Sequence, residues 1–397
     1  MAHLPRIMTI RKLWLIFAQA ATVALAAVFV VTTLKPEWLA SREAPREAPV
    51  VVSQAAPAPA SGAKPDSYND AVAKAAPAVV NIFTSGTAKG QKPPFPDDPL
   101  FRRFFGDSLG EGRRTASLGS GVIVSPKGYV LTNNHVVEGM DQIEVLLADS
   151  RTRLRAKVVG TDLETDLAVL QVERDDLPAI TFGALEAVRV GDVVLAIGNP
   201  FGVGQTVTMG IVSALGRTGL GVSTYENFVQ TDAAINQGNS GGALVDTAGN
   251  LIGINTVILS GTGGSIGIGF AIPVSTARTV MEQIIAEGAV TRGYIGIQAQ
   301  EVTPELAESF KIPGGAGVLI AGVERNGPAE KGGVKPGDVL VAVNGRATRD
   351  PAAMLETVAA LAPGSQATLK LRRTQSELEV AVIVGKRPPA QRRPAPR

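Results

Sequence analysis

Residues 121–273 run through short segments rich in Val, Ile, Leu and Thr, separated by stretches that carry Gly, Pro, Asn or Asp. Segments 121–124 and 129–132 flank Pro126-Lys127-Gly128, a spacing that predicts a hairpin. Further β-type runs fall at 143–147, 154–159 and 167–172, then at 193–197, 207–212, 228–230, 251–257 and 266–272. Short strands at such regular spacing close into barrels or sandwiches. The 44 glycines and the low aromatic content of 5% suit a mainly β, turn-rich chain, and 45% hydrophobic residues suffice for more than one core. With 397 residues, two or more domains are expected. Residues 274–287 read as an amphipathic helix stopped by Gly288.

The chemistry is narrowed by what is scarce. The chain has two histidines, His3 ahead of the first hydrophobic run and His135 in Thr132-Asn133-Asn134-His135-Val136-Val137. Gly238-Asn239-Ser240-Gly241-Gly242 presents a serine between glycines that permit a tight turn and can aim N–H groups at a developing oxyanion. A serine hydroxyl is a poor nucleophile near neutral pH without a base, and the base here must be His135. A carboxylate must orient the imidazole. Asp166, directly before the apolar run 167–172, is the best candidate, and Asp162, in a more polar stretch, is the rival. Each piece alone reads as a turn, a loop residue or a cap. Together, in the order His, Asp, Ser, they point to an active site divided between the halves of a double β-barrel. The oxyanion hole is expected over Gly238, Asn239 and Ser240, with the N–H groups of Gly238 and Ser240 donating and Asn239 shaping the backbone.

Arg6, Arg11 and Lys12 precede an uncharged stretch over residues 13–34, roughly 33 Å of helix at about 1.5 Å per residue. A retained transmembrane anchor with residues 1–12 in the cytoplasm is the favoured reading. A cleaved signal sequence ending near Ala24-Leu25-Ala26 is the alternative, and both export the rest of the chain. Residues 35–66 read as an Ala/Pro-rich tether, 67–290 as the catalytic domain, 291–385 as a second domain and 386–397 as a basic, proline-rich tail. Residues 86–118 read as irregular, with a Phe-rich cluster suited to docking on its own or another surface. Net charge +2 without a basic, aromatic stripe argues against nucleic acid. The absence of cysteine excludes disulfides and thiolate chemistry. No metal-ligand spacing appears, and no metal or cofactor is expected.

These motifs, with Gly198-Asn199-Pro200-Phe201-Gly202 and Thr231-Asp232-Ala233-Ala234-Ile235-Asn236, resemble the HtrA family of serine proteases. The similarity covers residues 67–385 and looks most like the membrane-anchored branch with one PDZ domain, the DegS/AlgW-like branch. It implies a chymotrypsin-like double barrel followed by a PDZ domain whose carboxylate-binding loop is Tyr294, Ile295, Gly296 and Ile297. In such a fold Ala234, with Ile235 and Asn236, borders the substrate pocket. Lacking a carboxylate there, the pocket is expected to take a small or medium apolar side chain. The resemblance further implies a homotrimer with contacts near Tyr68, a regulatory loop at 215–219 in which Arg217 links the PDZ domain to the active site, and an inner-membrane location facing the periplasm. Its implied partners are unfolded or membrane-bound protein substrates and free C-terminal peptides of misfolded envelope proteins. Binding of such a peptide would start an envelope-stress response through site-1 cleavage of a membrane-bound regulator. A general quality-control protease or chaperone, an esterase and a non-catalytic PDZ scaffold are the alternatives.

Overall fold

The computed structural model describes residues 67–87, 114–199, 204–236, 238–258, 265–309, 317–374 and 376–389, together with residues 14, 19, 22 and 53. The chain separates into two units, Met1–Pro49 and Val50–Arg397. In the first, Trp14, Gln19 and Thr22 are helical. The anchor expected over residues 13–34 otherwise lies outside the described residues, as do the Phe-rich cluster and the last residues of the tail. Among the described residues no helix is long and apolar enough to cross a membrane.

The second unit opens with helix α1 (Asn69–Ala75), which packs Ala71 and Ala75 inward. Six antiparallel strands then close a first barrel: β1 (Val79–Thr87), β2 (Arg114–Ile123), β3 (Tyr129–Asn133), β4 (Gln142–Leu146), β5 (Arg153–Asp162) and β6 (Leu167–Val172), in the spatial order β1-β2-β3-β6-β5-β4. Every residue of β3 is buried. A closed barrel leaves no free edge, so each ladder hydrogen bond is made within the chain. The β2–β3 hairpin turns where the sequence places it: the Gly128 N–H donates to the Ser125 carbonyl at 3.1 Å. The irregular stretch 86–118 is shorter than expected, because β1 and β2 keep pairing out to Thr87 opposite Arg114.

A second closed barrel follows: β7 (Val193–Gly198), β8 (Thr206–Arg217), β9 (Phe228–Thr231), β10 (Ala243–Val245), β11 (Leu251–Ile258) and β12 (Gly269–Pro273), ordered β10-β11-β12-β9-β8-β7. The three-residue β10 is too short for a periodicity signal and was not expected. Between β3 and β4 lies the short helix α2 (Asn134–Val137); after β12 comes α3 (Val274–Glu287). Helix α3 buries Val274, Ala277, Val280, Met281 and Ile284, each contributing about 1.5–3 kcal/mol of hydrophobic stabilisation for the larger side chains. It ends at Gly288, left-handed at φ 75°, whose N–H returns to the Ile284 carbonyl.

The remaining chain folds on a separate apolar core that includes Ile295, Val318, Ile320, Leu340, Leu369 and Leu371. A two-stranded ribbon pairs β13 (Gly293–Tyr294) with β20 (Gly385–Lys386). Between them lie β14 (Ile297–Glu301), α4 (Pro304–Ser309), β15 (Val318–Val323), α5 (Pro328–Lys331), β16 (Val339–Val343), β17 (Arg346–Ala347), α6 (Pro351–Ala359), β18 (Gln366–Arg373) and β19 (Ser376–Ile383). The sheet order is β14-β15-β16-β18-β19, with β17 beside β16, so β14 is an edge strand.

Candidate active site

Asp166 organises the first half of the site. It sits between β5 and β6 in the left-handed region at φ 58°, a conformation that Asp and Asn tolerate better than other residues with a β-carbon. Its carbonyl accepts the N–H of Asn134 and the side-chain amide of Asn133, both at 3.0 Å. Its carboxylate accepts the His135 N–H at 3.0 Å and meets His135 Nδ1 at 2.7 Å. The first turn of α2 is thus held by one residue, through both its main chain and its side chain. An ionised carboxylate only accepts, so the ring proton belongs on Nδ1 and Nε2 keeps its lone pair. The imidazole is half exposed, whereas the Asp166 side chain is largely covered.

The second barrel supplies the serine. Thr256 on β11 donates to the same Asp166 oxygen at 3.0 Å. Its neighbour Asn255 accepts the Gly241 N–H at 2.7 Å and donates to the Gly242 carbonyl at 2.9 Å. Ser240 is therefore tied, through two adjacent residues of β11, to the group that holds the imidazole. A second tie crosses the barrels: the Ser120 N–H donates to the Ser240 carbonyl at 2.8 Å. Gly241, left-handed at φ 82°, lies so close to the first barrel that a β-carbon there would sit 2.2 Å from the Ser120 carbonyl oxygen and 2.4 Å from Thr132 Oγ1. Among the described residues no hydrogen bond joins the Ser240 hydroxyl to His135.

Around the serine, the Asn239 N–H turns inward to the Asn236 carbonyl at 3.1 Å, and its side chain bonds Asn236 N–H and the Ala234 carbonyl. Asn239 therefore shapes the loop and does not offer its own N–H to an oxyanion. The N–H groups of Gly238 and Ser240 have no partner among the described residues. Of the three residues expected at the substrate pocket, Ile235 points into the core of the second barrel with Val212, Val229 and Leu244. Ala234 is half-buried and Asn236 exposed, and Asn236 accepts the Ser265 N–H at 2.9 Å. Ile235 is thus a core residue, not a pocket wall.

Asp162, the rival to Asp166, is occupied elsewhere. Both its oxygens meet the Arg292 guanidinium, at 2.8 and 2.5 Å, and Thr165 bonds it as well. Glu164 completes this cluster, accepting from Arg387 at 2.8 Å and lying 3.5 Å from Arg292. The Tyr225 ring has both guanidinium groups over it, at 4.4 and 5.5 Å from its centroid. Burial pushes its phenol up to about 12. Arg292 and Arg387 flank the β13–β20 ribbon and are joined by an N–H to carbonyl bond at 2.9 Å. This clamp carries no sequence motif, and sequence reasoning missed it. Arg217 is not part of it: residues 215–217 extend β8 as strand, and the Arg217 guanidinium bonds Gln230 at 2.8 Å.

The ribbon strand β13 leads into the segment Tyr294–Ile297. Ile295 is buried and Gly296 is left-handed at φ 72°. Their carbonyls accept from Ala329 and Glu324, both at 2.8 Å, while their N–H groups donate to nothing among the described residues. The next residue, Ile297, starts the free edge strand β14.

Comparison with known proteins agrees with this architecture. A trypsin-like peptidase domain family matches residues 119–254 and a PDZ domain family matches residues 293–384. The chain is 42% identical over 405 residues to a probable periplasmic serine endoprotease DegP-like from Brucella suis biovar 1, covering 94% of this chain and 76% of that protein. It is 42% identical over 336 residues to the protein so described from Chlamydia trachomatis, covering 80% and 67%. A solved structure of the HtrA-type protease AlgW with a decapeptide superposes with a TM-score of 0.71 at 53% identity, over 82% of this chain and all of that one. Double barrel, PDZ domain and relatives together place the chain in the HtrA family, as a serine-type endopeptidase.

Proposed function

We propose that the protein is a periplasmic serine endopeptidase whose activity responds to free C-termini bound at its PDZ domain. The observation that carries the catalytic part is the His135 Nδ1 to Asp166 contact at 2.7 Å, shared with Thr256 of the barrel that bears Ser240. Ser240 attacks the scissile carbonyl. His135 takes the hydroxyl proton and later gives it to the leaving amine, while Asp166 holds the tautomer and stabilises the imidazolium. The N–H groups of Gly238 and Ser240 receive the oxyanion, each worth about 3 kcal/mol of transition-state stabilisation. A pocket bordered by Ala234 favours small or medium apolar side chains.

Regulation rests on the geometry at Tyr294–Ile297 and on the peptide in the AlgW structure. A C-terminal peptide adds a strand to β14, and its carboxylate meets the N–H groups of Ile295, Gly296 and Ile297. Residues 13–34 anchor the chain in the inner membrane, three copies assemble near Tyr68, and the substrate is a membrane-bound regulator cut at site 1 in an envelope-stress response. Relatives described as periplasmic support the compartment.

The test is cleavage of unfolded casein by the full chain, with and without free C-terminal peptides, beside Ser240→Ala. Peptide-stimulated cleavage that disappears in the variant is expected. Serine-dependent cleavage without any peptide effect would leave a quality-control protease. No serine-dependent cleavage at all would leave a scaffold.

A further inference from the structure

We infer that Ser120 is the residue that positions the oxyanion-binding loop. This rests on the reading of Ser240 as nucleophile and extends it to a residue of the opposite barrel. Ser120 is fully buried on β2 and uses every polar atom it has at the seam between the barrels. Its hydroxyl donates to the Gly238 carbonyl at 2.6 Å and accepts the Asn199 N–H at 2.9 Å. Its N–H donates to the Ser240 carbonyl at 2.8 Å, and its carbonyl accepts from Thr132 Oγ1 at 2.7 Å.

The consequence lies in which peptide groups are fixed. Ser120 holds the carbonyl of Gly238 and the carbonyl of Ser240, the peptide units on either side of the Ser240 N–H. The first of these units is gripped at both ends, because its N–H, that of Asn239, goes to the Asn236 carbonyl. With the Gly238 carbonyl pinned, the peptide unit after that glycine is fixed in space, and the direction of its own N–H is left to the two torsions of Gly238 alone. Gly238 sits at φ 96°, where a glycine turns freely unless its neighbours hold it. One buried residue, through its hydroxyl and its N–H, therefore fixes the peptide unit between the two proposed oxyanion donors and the unit after Ser240, and does so from the barrel that carries His135 and Asp166. The Asn199 N–H aims the hydroxyl: by donating to Oγ it leaves the serine proton for Gly238. Asn199 is held in turn by Asn81, whose side-chain amide donates to the Asn199 carbonyl at 2.5 Å.

Ser120 touches no substrate in this arrangement; it is a positioning residue, and its loss should act on the transition state rather than on substrate binding. In the full chain, Ser120→Ala is expected to lower kcat on casein by about 10- to 100-fold, short of the 10²–10³-fold that follows loss of an oxyanion donor itself, with KM little changed. Inhibition by a peptide boronate ending in valine, a tetrahedral anion when bound, should weaken by a similar factor. Ser120→Cys, near in size with a weaker donor, should fall between, and Ser120→Thr, which keeps the hydroxyl, should recover most of the activity. Labelling of Ser240 by a fluorophosphonate separates the two levels of the reading. If the unaltered chain is not labelled even in the presence of stimulating free C-terminal peptides, the active site and this proposal fall together. If it is labelled, but Ser120→Ala keeps its kcat and boronate affinity per folded molecule, only the positioning role is overturned. A loss expressed in KM alone would overturn it equally. Should Ser120→Ala not fold, Ser120→Cys carries the same comparison of kcat, KM and boronate affinity.

Discussion

Asp166 illustrates how much one residue does here. Its carboxylate orients the imidazole, its carbonyl holds the start of α2, and its backbone occupies a left-handed conformation that few side chains accept. Most substitutions would disturb all three. Asn is the exception, since it tolerates the same backbone and keeps one side-chain acceptor. Asp166→Asn therefore isolates the charge and the tautomer it enforces. Its expected effect is a fall in kcat of about 10⁴-fold, as the same exchange causes in the chymotrypsin-type triad, with an unchanged circular dichroism spectrum and melting temperature within a few degrees. The pairing of His135 with Asp166 was legible because histidine is so scarce and because an acid before a buried strand is held rigidly. The placement of Ile235 was not: its side chain lies in the core of the second barrel, which the short run around it does not reveal. Nor was Ser120, whose role depends on contacts with residues more than a hundred positions away.

At the scale of elements, most strands of both barrels follow from runs of β-branched residues between turn signals, the short β10 and the outer ends of β1 and β2 excepted, and α3 follows from its apolar period and its terminal glycine. What could not be read was the short ribbon β13–β20, which pairs segments at opposite ends of the PDZ region and has no periodicity of its own. Yet this ribbon carries Arg292 and Arg387 onto the loop that leads from Asp162 to Asp166. Arg292, Asp162 and Glu164 all have largely buried side chains. Arg292→Ala leaves the buried Asp162 carboxylate without its cation, while Glu164 keeps Arg387, and is expected to cost about 3–5 kcal/mol, measured as a shift in urea midpoint. Replacing the pair together, Arg292→Met with Asp162→Asn, should cost much less. A second contact joins α6 to the loop before β9, where Glu356 bonds Asn227 in a cleft also lined by Tyr225, Thr291 and Arg346. Burial pushes the Glu356 carboxyl above its usual range, opposed by Arg346 and by the Asn227 bond and reinforced by Asp350. The folded chain then keeps this proton at a pH where the unfolded chain has lost it, so stability falls as pH rises through that window. Glu356→Gln removes the burden. It should raise the melting temperature at neutral pH by about 1 °C, a gain that shrinks towards about pH 4.

On the scale of the whole molecule, one short ribbon connects the proposed peptide loop with the clamp on the segment that ends in Asp166. Tyr294 is at once the last residue of β13 and the first of the loop, and Arg292 lies two residues earlier, on the clamp. On the proposed function, a peptide that orders Tyr294–Ile297 is expected to act on the ribbon, and through Arg292 and Arg387 on the segment ending in Asp166. Such coupling transmits only the difference in affinity between two states of the loop. The carboxylate is the part of a peptide best placed to supply that difference. The N–H groups of Ile295 and Gly296 have no partner among the described residues, while their carbonyls are tied to Ala329 of α5 and to Glu324 just after β15, so a terminal anion is expected to gain charge-assisted bonds that an amide does not. A peptide with a free C-terminus is thus expected to bind at least about tenfold more tightly than its C-terminal amide, a difference of about 1.4 kcal/mol, read by fluorescence anisotropy on the full chain. The amide, even at concentrations that saturate β14, should stimulate casein cleavage less than the free acid does. In Arg292→Ala, where the ribbon is no longer fastened to Asp162, the free acid should still bind but lose most of its effect on cleavage. Equal stimulation by acid and amide would place the activating contact in the added strand, and stimulation undiminished in Arg292→Ala would route the coupling around the clamp.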